Sequence, residues 1–185
     1  MKQPAIFFDR DGTLIVDKYY LNDPEQVELI PGALEALKLA RKLGFQLFVV
    51  SNQSGIARGI STEEQVRAVN ERIVALLASE GIELDGLAYC PHHPDDEPAC
   101  NCRKPARGMV DQFLKSFELE LKRSYVIGDS KADIGLGHNI GATSILVQTG
   151  YEQLQREHFS DSRRPDHIAA DILAAVKWIA EYERE

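Results

Sequence analysis

The sequence predicts an α/β fold in which a parallel sheet is covered by helices on both faces. Three observations predict it. Short runs rich in β-branched and aromatic residues recur along the chain. They alternate with segments whose apolar residues repeat at helical spacing. Four of the runs end in polar, reactive residues, and parallel α/β sheets bind ligands beyond the carboxyl ends of their strands.

Five runs read as buried strands: Ala5 to Phe8, Gln46 to Ser51, Leu84 to Cys90, Ser124 to Gly128 and Thr143 to Gln148. Pro31 to Leu43 reads as a helix that opens on a proline and closes at Gly44. Ser61 and Glu64 have the spacing of a capping box, and Val66, Val69, Ile73 and Leu77 follow as a stripe that ends at Gly81. Val110, Phe113, Leu114 and Phe117 form another stripe. A last helix over about Asp171 to Glu181 carries Ile172, Val176 and Ile179 on one face, with Trp178 expected in the core. His138, His158 and His167 have no partners at ligand spacing and read as surface or packing residues. The stretch "SDSRRPD", 160 to 166, reads as an exposed loop, and the "EYERE" tail as a solvated helix end.

At 185 residues the expectation is a single domain, 1–185, with a substantial core. Hydrophobic residues make up 44% and charged residues 27%, a balance that suits a folded globular chain. The net charge of −8 argues against nucleic acid or an anionic membrane as the main partner. A small anionic substrate stays open, because a site can be positive within an acidic protein. No apolar stretch has the length of a membrane span, and "MKQPAIFFD" lacks signal-peptide architecture. The expected location is the cytoplasm, with reduced thiols and a monomeric chain.

The strand endings carry the chemistry. The first delivers Asp9 and Asp11, the second "SNQSG" from Ser51, the third "CPHH" from Cys90, and the fourth "GDSKAD" from Gly128. Two carboxylates two positions apart repel unless something neutralises or uses them. Asp9 and Asp129 at adjacent strand ends would form a hard, oxygen-rich site suited to Mg²⁺, with Asp11 beside them as a third metal residue and Asp133 in support. An Asp9 carboxylate can attack phosphorus to form an aspartyl-phosphate. Asp11 can protonate the leaving oxygen and then activate water. Ser51, Asn52 and Lys104 can supply a hydroxyl, an amide and a positive charge to the phosphoryl oxygens. Gln53 and Ser54 of the same loop join the substrate-binding set.

All three cysteines fall within "CPHHPDDEPACNC", residues 90–102. Three thiolates with one imidazole make a structural zinc set, and four protein ligands close the coordination shell. A disulfide is the alternative, which a cytoplasmic location disfavours. Arg103 and Lys104 follow directly, so a metal here would pin the stretch that brings both cations to a phosphate.

"DRDGT", "SNQSG", "RKP" and "GDSKAD", in this order, resemble the haloacid dehalogenase-like phosphatases. The resemblance implies a Rossmann-like sheet, an Asp9 nucleophile, an Asp11 acid/base, phosphate binding by Ser51 and Lys104, and Asp129 as a Mg²⁺ ligand. Thr13 to Ser51 has room only for a flap and one helix, so the cap is expected to be minimal and the site open. "CPHHP", "CNCRKP", Gly108-Met109 and "NQSGIARG" are similar to the D-glycero-D-manno-heptose 1,7-bisphosphate 7-phosphatase family. That likeness implies His92 as the fourth zinc ligand with Cys90, Cys100 and Cys102. It also implies that Arg103 contacts substrate and that Asp17, Lys18, Tyr19 and Tyr20 lie on a flap facing the sugar. The spacer between Cys90 and Cys100 is shorter than in some members, and Ser51 stands where some have Thr. Histidinol-phosphate phosphatases share the same catalytic set and a similar loop. Phospho-Asp signalling domains and zinc adaptors are alternatives of another class.

Overall fold

The computed structural model describes residues 2–96, 99–150 and 164–184. Six parallel strands form one sheet: β1 (Ala5–Phe8), β2 (Gln46–Asn52), β3 (Gly86–Cys90), β4 (Tyr125–Gly128), β5 (Thr143–Val147) and β6 (His167–Ala169). Their spatial order is β3-β2-β1-β4-β5-β6. The chain therefore runs outward from β1 in one direction and then, from β4, in the other. The switch point falls at β1, where α/β sheets open a crevice for ligands.

Among the described residues five helices cover the sheet: α1 (Ala33–Lys42), α2 (Glu63–Ser79), α3 (Gly108–Phe113), α4 (Lys131–Ile140) and α5 (Ile172–Tyr182). Side chains of a strand alternate between faces. Ile6 and Phe8 accordingly join Leu37, Ile73 and Val176 in the core under α1, α2 and α5. Ala5 and Phe7 join Phe48, Val110, Phe113 and Leu136 under α3 and α4. Phe48 stacks against Phe7 at 5.4 Å between ring centroids and against Phe113 at 4.5 Å. Burying each such side chain contributes roughly 1.5–3 kcal/mol.

Several boundaries differ from the sequence expectation. Pro31 lies outside α1, because Gly32 takes a left-handed turn (φ 84°) as the N-cap and the helix starts at Ala33, two residues later. The capping box of α2 uses Thr62 and Gln65 rather than Ser61 and Glu64. Strand β3 starts at Gly86: Asp85 still donates its N–H to the Leu47 carbonyl at 2.8 Å, but its carboxylate, not its backbone, accepts the Leu47 N–H at 2.7 Å and pairs with Arg41 at 2.6 Å. Helix α4 and strand β6 were not expected. Two glycines dilute the apolar signal of α4, and β6 is only three residues long.

Trp178 is half-buried rather than fully enclosed, stacked between His167 (4.2 Å) and Tyr182 (5.1 Å). The tail is not simply solvated. Glu183 accepts hydrogen bonds from Tyr125 (2.7 Å) and Arg123 (3.0 Å). Of the 160–166 loop, residues 160–163 lie outside the described residues, as does His158. Asp166 is tied back to β5, where its carboxylate accepts from Ser144 N and Oγ, both at 2.7 Å. Between Thr13 and β2 there is one short flap, pinned by an Ile15–Leu29 bridge, and α1. Among the described residues no helix is long and apolar enough to cross a membrane.

Candidate active site and metal centre

The site stands at the carboxyl ends of β1, β2 and β4. Strand β1 is buried along its whole length and hands over to Asp9 at its tip. Strand β4 hands over to Asp129, and the turn into α4 adds Asp133. Carboxylate oxygens of Asp9, Asp129 and Asp133 lie within 4.8 Å of one another. Lys104, also buried, donates to Asp9 Oδ1 (2.5 Å), Asp133 Oδ1 (2.7 Å) and the Val50 carbonyl (2.7 Å). Burial pushes the Asp9 carboxyl up to about 7, helped by Asp133 and Asp11 and opposed by Lys104. Burial works against the charge of Lys104, but Asp133 and Asp9 outweigh it and raise its pKa. One ammonium is thus shared between two carboxylates.

Glycines permit this crowding. A Cβ on Gly150 would come within 1.5 Å of Asp129 Oδ2, and one on Gly12 within 2.5 Å. Gly12 also needs its left-handed φ of 77°. Thr149 Oγ1 donates to the Gly12 carbonyl at 2.6 Å and ties the end of β5 to the turn after β1.

The Asp11 carboxylate is held by its own set of donors, next to the trio. Its oxygens accept from Arg10 Nε (2.9 Å), Arg10 Nη2 (3.0 Å) and Gln53 Nε2 (2.8 Å). These donors hold it outside the converging trio and beside the cavity. Ser51 Oγ is 3.5 Å from Asp11 Oδ2 and accepts from Gln53 Nε2 at 2.7 Å. Both ends of the Asn52 amide clamp the Lys104 backbone, accepting its N–H at 2.9 Å and donating to its carbonyl at 3.1 Å.

A cavity of about 230 Å³ unites Asp9, Asp11, Asp17, Ser51, Lys104 and Asp129 with Asn52 and Arg103. A second, of about 310 Å³, shares Asp11, Asp17 and Asn52 and extends past Gln53 and Ser54 under Tyr19 and Tyr20. Lys18 lines neither cavity; its ammonium donates to the Gln26 carbonyl at 2.9 Å and pairs with Glu28 at 3.1 Å along the flap. Tyr19 and Tyr20 both have positive φ (49° and 53°), and Asp17 Oδ1 accepts the Tyr19 N–H at 3.0 Å. Sequence reasoning gave no role to Arg10, Asn70, Thr149 or Gly150. A charged residue at the end of an apolar strand was the available signal for Arg10.

The Cys/His loop forms a second centre. Cys90 Sγ lies 3.5 Å from His92 Nδ1, 3.5 Å from Cys100 Sγ and 2.8 Å from Cys102 Sγ. Cys102 Sγ lies 3.2 Å from His92 Nδ1 and 3.6 Å from Cys100 Sγ. A tetrahedral zinc with bonds of about 2.3 Å to sulfur needs edges of about 3.8 Å, so this donor set fits the ion with a small expansion. His93 takes no part; its Nδ1 accepts the Asp95 N–H at 3.2 Å. Arg103 Nη1 donates to the His92 carbonyl at 3.2 Å and so joins this loop to the cavity wall.

A family model described as "HAD-hyrolase-like" matches residues 101–175. The D-glycero-beta-D-manno-heptose-1,7-bisphosphate 7-phosphatase of Yersinia pestis is 44% identical over 80% of this chain and 81% of its own. The enzyme of the same name from Photorhabdus laumondii is 41% identical over 95% and 96%. The structure of a D,D-heptose 1,7-bisphosphate phosphatase from B. bronchiseptica, complexed with magnesium and phosphate, superposes with a TM-score of 0.83. It is 28% identical and covers 97% of this chain and 99% of its own. With this identity sustained along most of its length, and with the aspartates at the tips of β1 and β4, the chain belongs to the heptose 1,7-bisphosphate 7-phosphatase family of HAD-like hydrolases.

Proposed function

We propose that the chain removes the C7 phosphate of D-glycero-β-D-manno-heptose 1,7-bisphosphate, within the synthesis of nucleotide-activated heptose for lipopolysaccharide or surface glycans. The observation that carries the reading is the convergence of Asp9, Asp129 and Asp133 around Lys104 at the switch point of the sheet. The β anomer follows the names of the relatives.

Asp9 attacks phosphorus and carries the phosphoryl group as an aspartyl-phosphate. Lys104 draws charge from the phosphoryl oxygens, with Ser51 as a hydroxyl donor. Asp11 gives a proton to the leaving C7 oxygen, then takes one from the water that hydrolyses the phosphoenzyme. Arg103 faces the cavity with the guanidinium fork suited to the second phosphate. Asp17, Tyr19 and Tyr20 border the space for the sugar.

Asp9 and Asp129, with Asp11 beside them and Asp133 in support, would hold Mg²⁺, which supplies positive charge against the carboxylates and the phosphate. Cys90, His92, Cys100 and Cys102 would hold a structural Zn²⁺ that fixes the stretch before Arg103 and Lys104. The net charge of −8 supports a small-molecule substrate over nucleic acid or membrane. The chain acts as a single-domain monomer in the cytoplasm.

One observation favours a second reading. Asp11 and Asp17 give the flap-side cavity an acidic border, which suits the cationic amine of histidinol phosphate. The deciding experiment measures phosphate release, with Mg²⁺, from both anomers of the heptose bisphosphate and from histidinol phosphate. The β-bisphosphate is expected to have the highest kcat/KM. A preference for histidinol phosphate would overturn the substrate and the role of Arg103 together.

A further inference from the structure

Arg10 is fully buried, and each of its three guanidinium nitrogens donates to a neighbouring side chain. Nε and Nη2 grip the two oxygens of Asp11 at 2.9 and 3.0 Å, and Nη1 donates to Asn70 Oδ1 at 2.9 Å. Asn70 is itself buried, on the packed face of α2 among Val66, Val69, Ile73 and Leu77. An amide on that face is unfavourable unless it is hydrogen-bonded, and Arg10 is the partner that the described structure supplies. We propose that Arg10 and Asn70 form a buried positioning pair that fixes the plane and direction of the Asp11 carboxylate for proton transfer to the leaving oxygen. The inference rests on the phosphatase reading above.

The geometry favours this over a purely structural ion pair. Arg10 and Asp11 are sequence neighbours, and side chains of neighbours in an extended chain point to opposite faces. The turn at Gly12 brings them together, with the Arg10 carbonyl accepting the N–H groups of Leu14 and Ile15 at 3.0 and 2.9 Å. The two-pronged contact sets the plane of the carboxylate, as a single ammonium would not. Gln53 holds one oxygen from the loop after β2. Asp11 is thereby fixed from three elements, while its side chain keeps 22% exposure where the two cavities meet. A general acid must reach its oxygen within about 2.6–3.2 Å, and a displacement of about 1 Å can cost about a hundredfold.

The test follows the first turnover by rapid quench with two esters, heptose 1,7-bisphosphate and 4-nitrophenyl phosphate. The alkoxide leaving from the sugar needs a proton, whereas nitrophenolate leaves without one. Asn70→Leu removes the acceptor behind Arg10, and Arg10→Lys keeps the charge but loses the fork. In Asn70→Leu the first turnover of the sugar ester is expected to slow about tenfold, with KM within about twofold. With the aryl ester it should slow by less than about threefold. Arg10→Lys should show the same leaving-group dependence, and the double variant should be no worse than Arg10→Lys alone. Equal losses on both esters, or none on either, would overturn the pair's role. If the wild-type enzyme prefers histidinol phosphate, that alkyl ester replaces the sugar in the same comparison. A wild-type chain that hydrolyses no phosphate ester would overturn the underlying reading and this proposal with it.

Discussion

The two candidate metal centres are built in opposite ways. The carboxylate centre gathers residues 9, 129 and 133 from distant parts of the chain, and the sheet holds them. Parallel register between β1 and β4 places the two tips side by side before any ligand arrives. The Cys/His centre gathers its four donors from residues 90–102, and only Cys90 belongs to a strand. The other three lie on irregular backbone, His92 exposed and Cys100 and Cys102 partly so. Its cysteines interact through weak thiol contacts. Burial pushes the Cys90 thiol up, while the Arg103 N–H and the neighbouring thiols outweigh burial at Cys100 and lower it to about 7. The first centre is preorganised by the fold, whereas the second rests on a short loop whose donors a shared ion would tie together. Arg103 and Lys104 lie between them, and Lys104 is held from both sides: by Asn52 and the two carboxylates, and by the loop that precedes it.

The comparison breaks most sharply at Asp9. Asp9→Asn should lower kcat by about 10⁴-fold or more, since the nucleophile is lost, while the far-UV spectrum stays unchanged. Residual turnover near the wild-type level would mean that the nucleophile lies elsewhere. Next comes the loop. Chelating zinc, or Cys102→Ala, should reduce kcat/KM about 10- to 100-fold by loosening Arg103 and Lys104, with the sheet still folded. Full activity in a zinc-free sample, checked by metal analysis, would remove the positional role of the ion.

A subtler probe is Gly150→Ala. Its Cβ would collide with Asp129, so Mg²⁺ affinity should fall about 10- to 100-fold while the Cys/His loop keeps its metal. Titrating Mg²⁺ against the melting temperature reads this directly. The smallest effect is expected far from both centres. Burial against Trp178 lowers the His167 pKa below its ordinary 6.5, so the unfolded chain binds the proton more readily. Stability from this contact is complete above about pH 6.5 and is lost as pH falls toward the lowered value. His167 is largely solvent-screened, so the melting temperature of wild type should drop between pH 7 and pH 5 only about 1–2 °C more than that of His167→Phe. An identical pH dependence in both proteins would assign the loss of stability to other groups.

Much of the molecule was legible in the sequence because its signals are local. Strand β1 occupies the four residues expected, since a continuous apolar run ending in acids has few alternatives in a parallel sheet. The Cys/His cluster was legible because its spacing is short, and it gathers His92 rather than His93, in line with the family likeness. The cap of α2 shifted by one residue because Ser61, Thr62, Glu64 and Gln65 offer two overlapping boxes, and only backbone direction selects between them.

By itself, then, the sequence determined the parallel α/β class, the end of the sheet where chemistry occurs, and the residue types of both centres. These follow from periodicity and short-range spacing. Tertiary structure alone decided how closely Asp133, expected in support, approaches Asp9 and Asp129, and that Arg10 and Gln53 hold the Asp11 carboxylate. It also decided that Lys18 turns away from the cavity and that Gly150 shields Asp129. Those outcomes depend on which side chains of distant elements meet in a densely packed interior, and hydrogen bonds across about 60 to 140 residues leave no periodic trace along the chain.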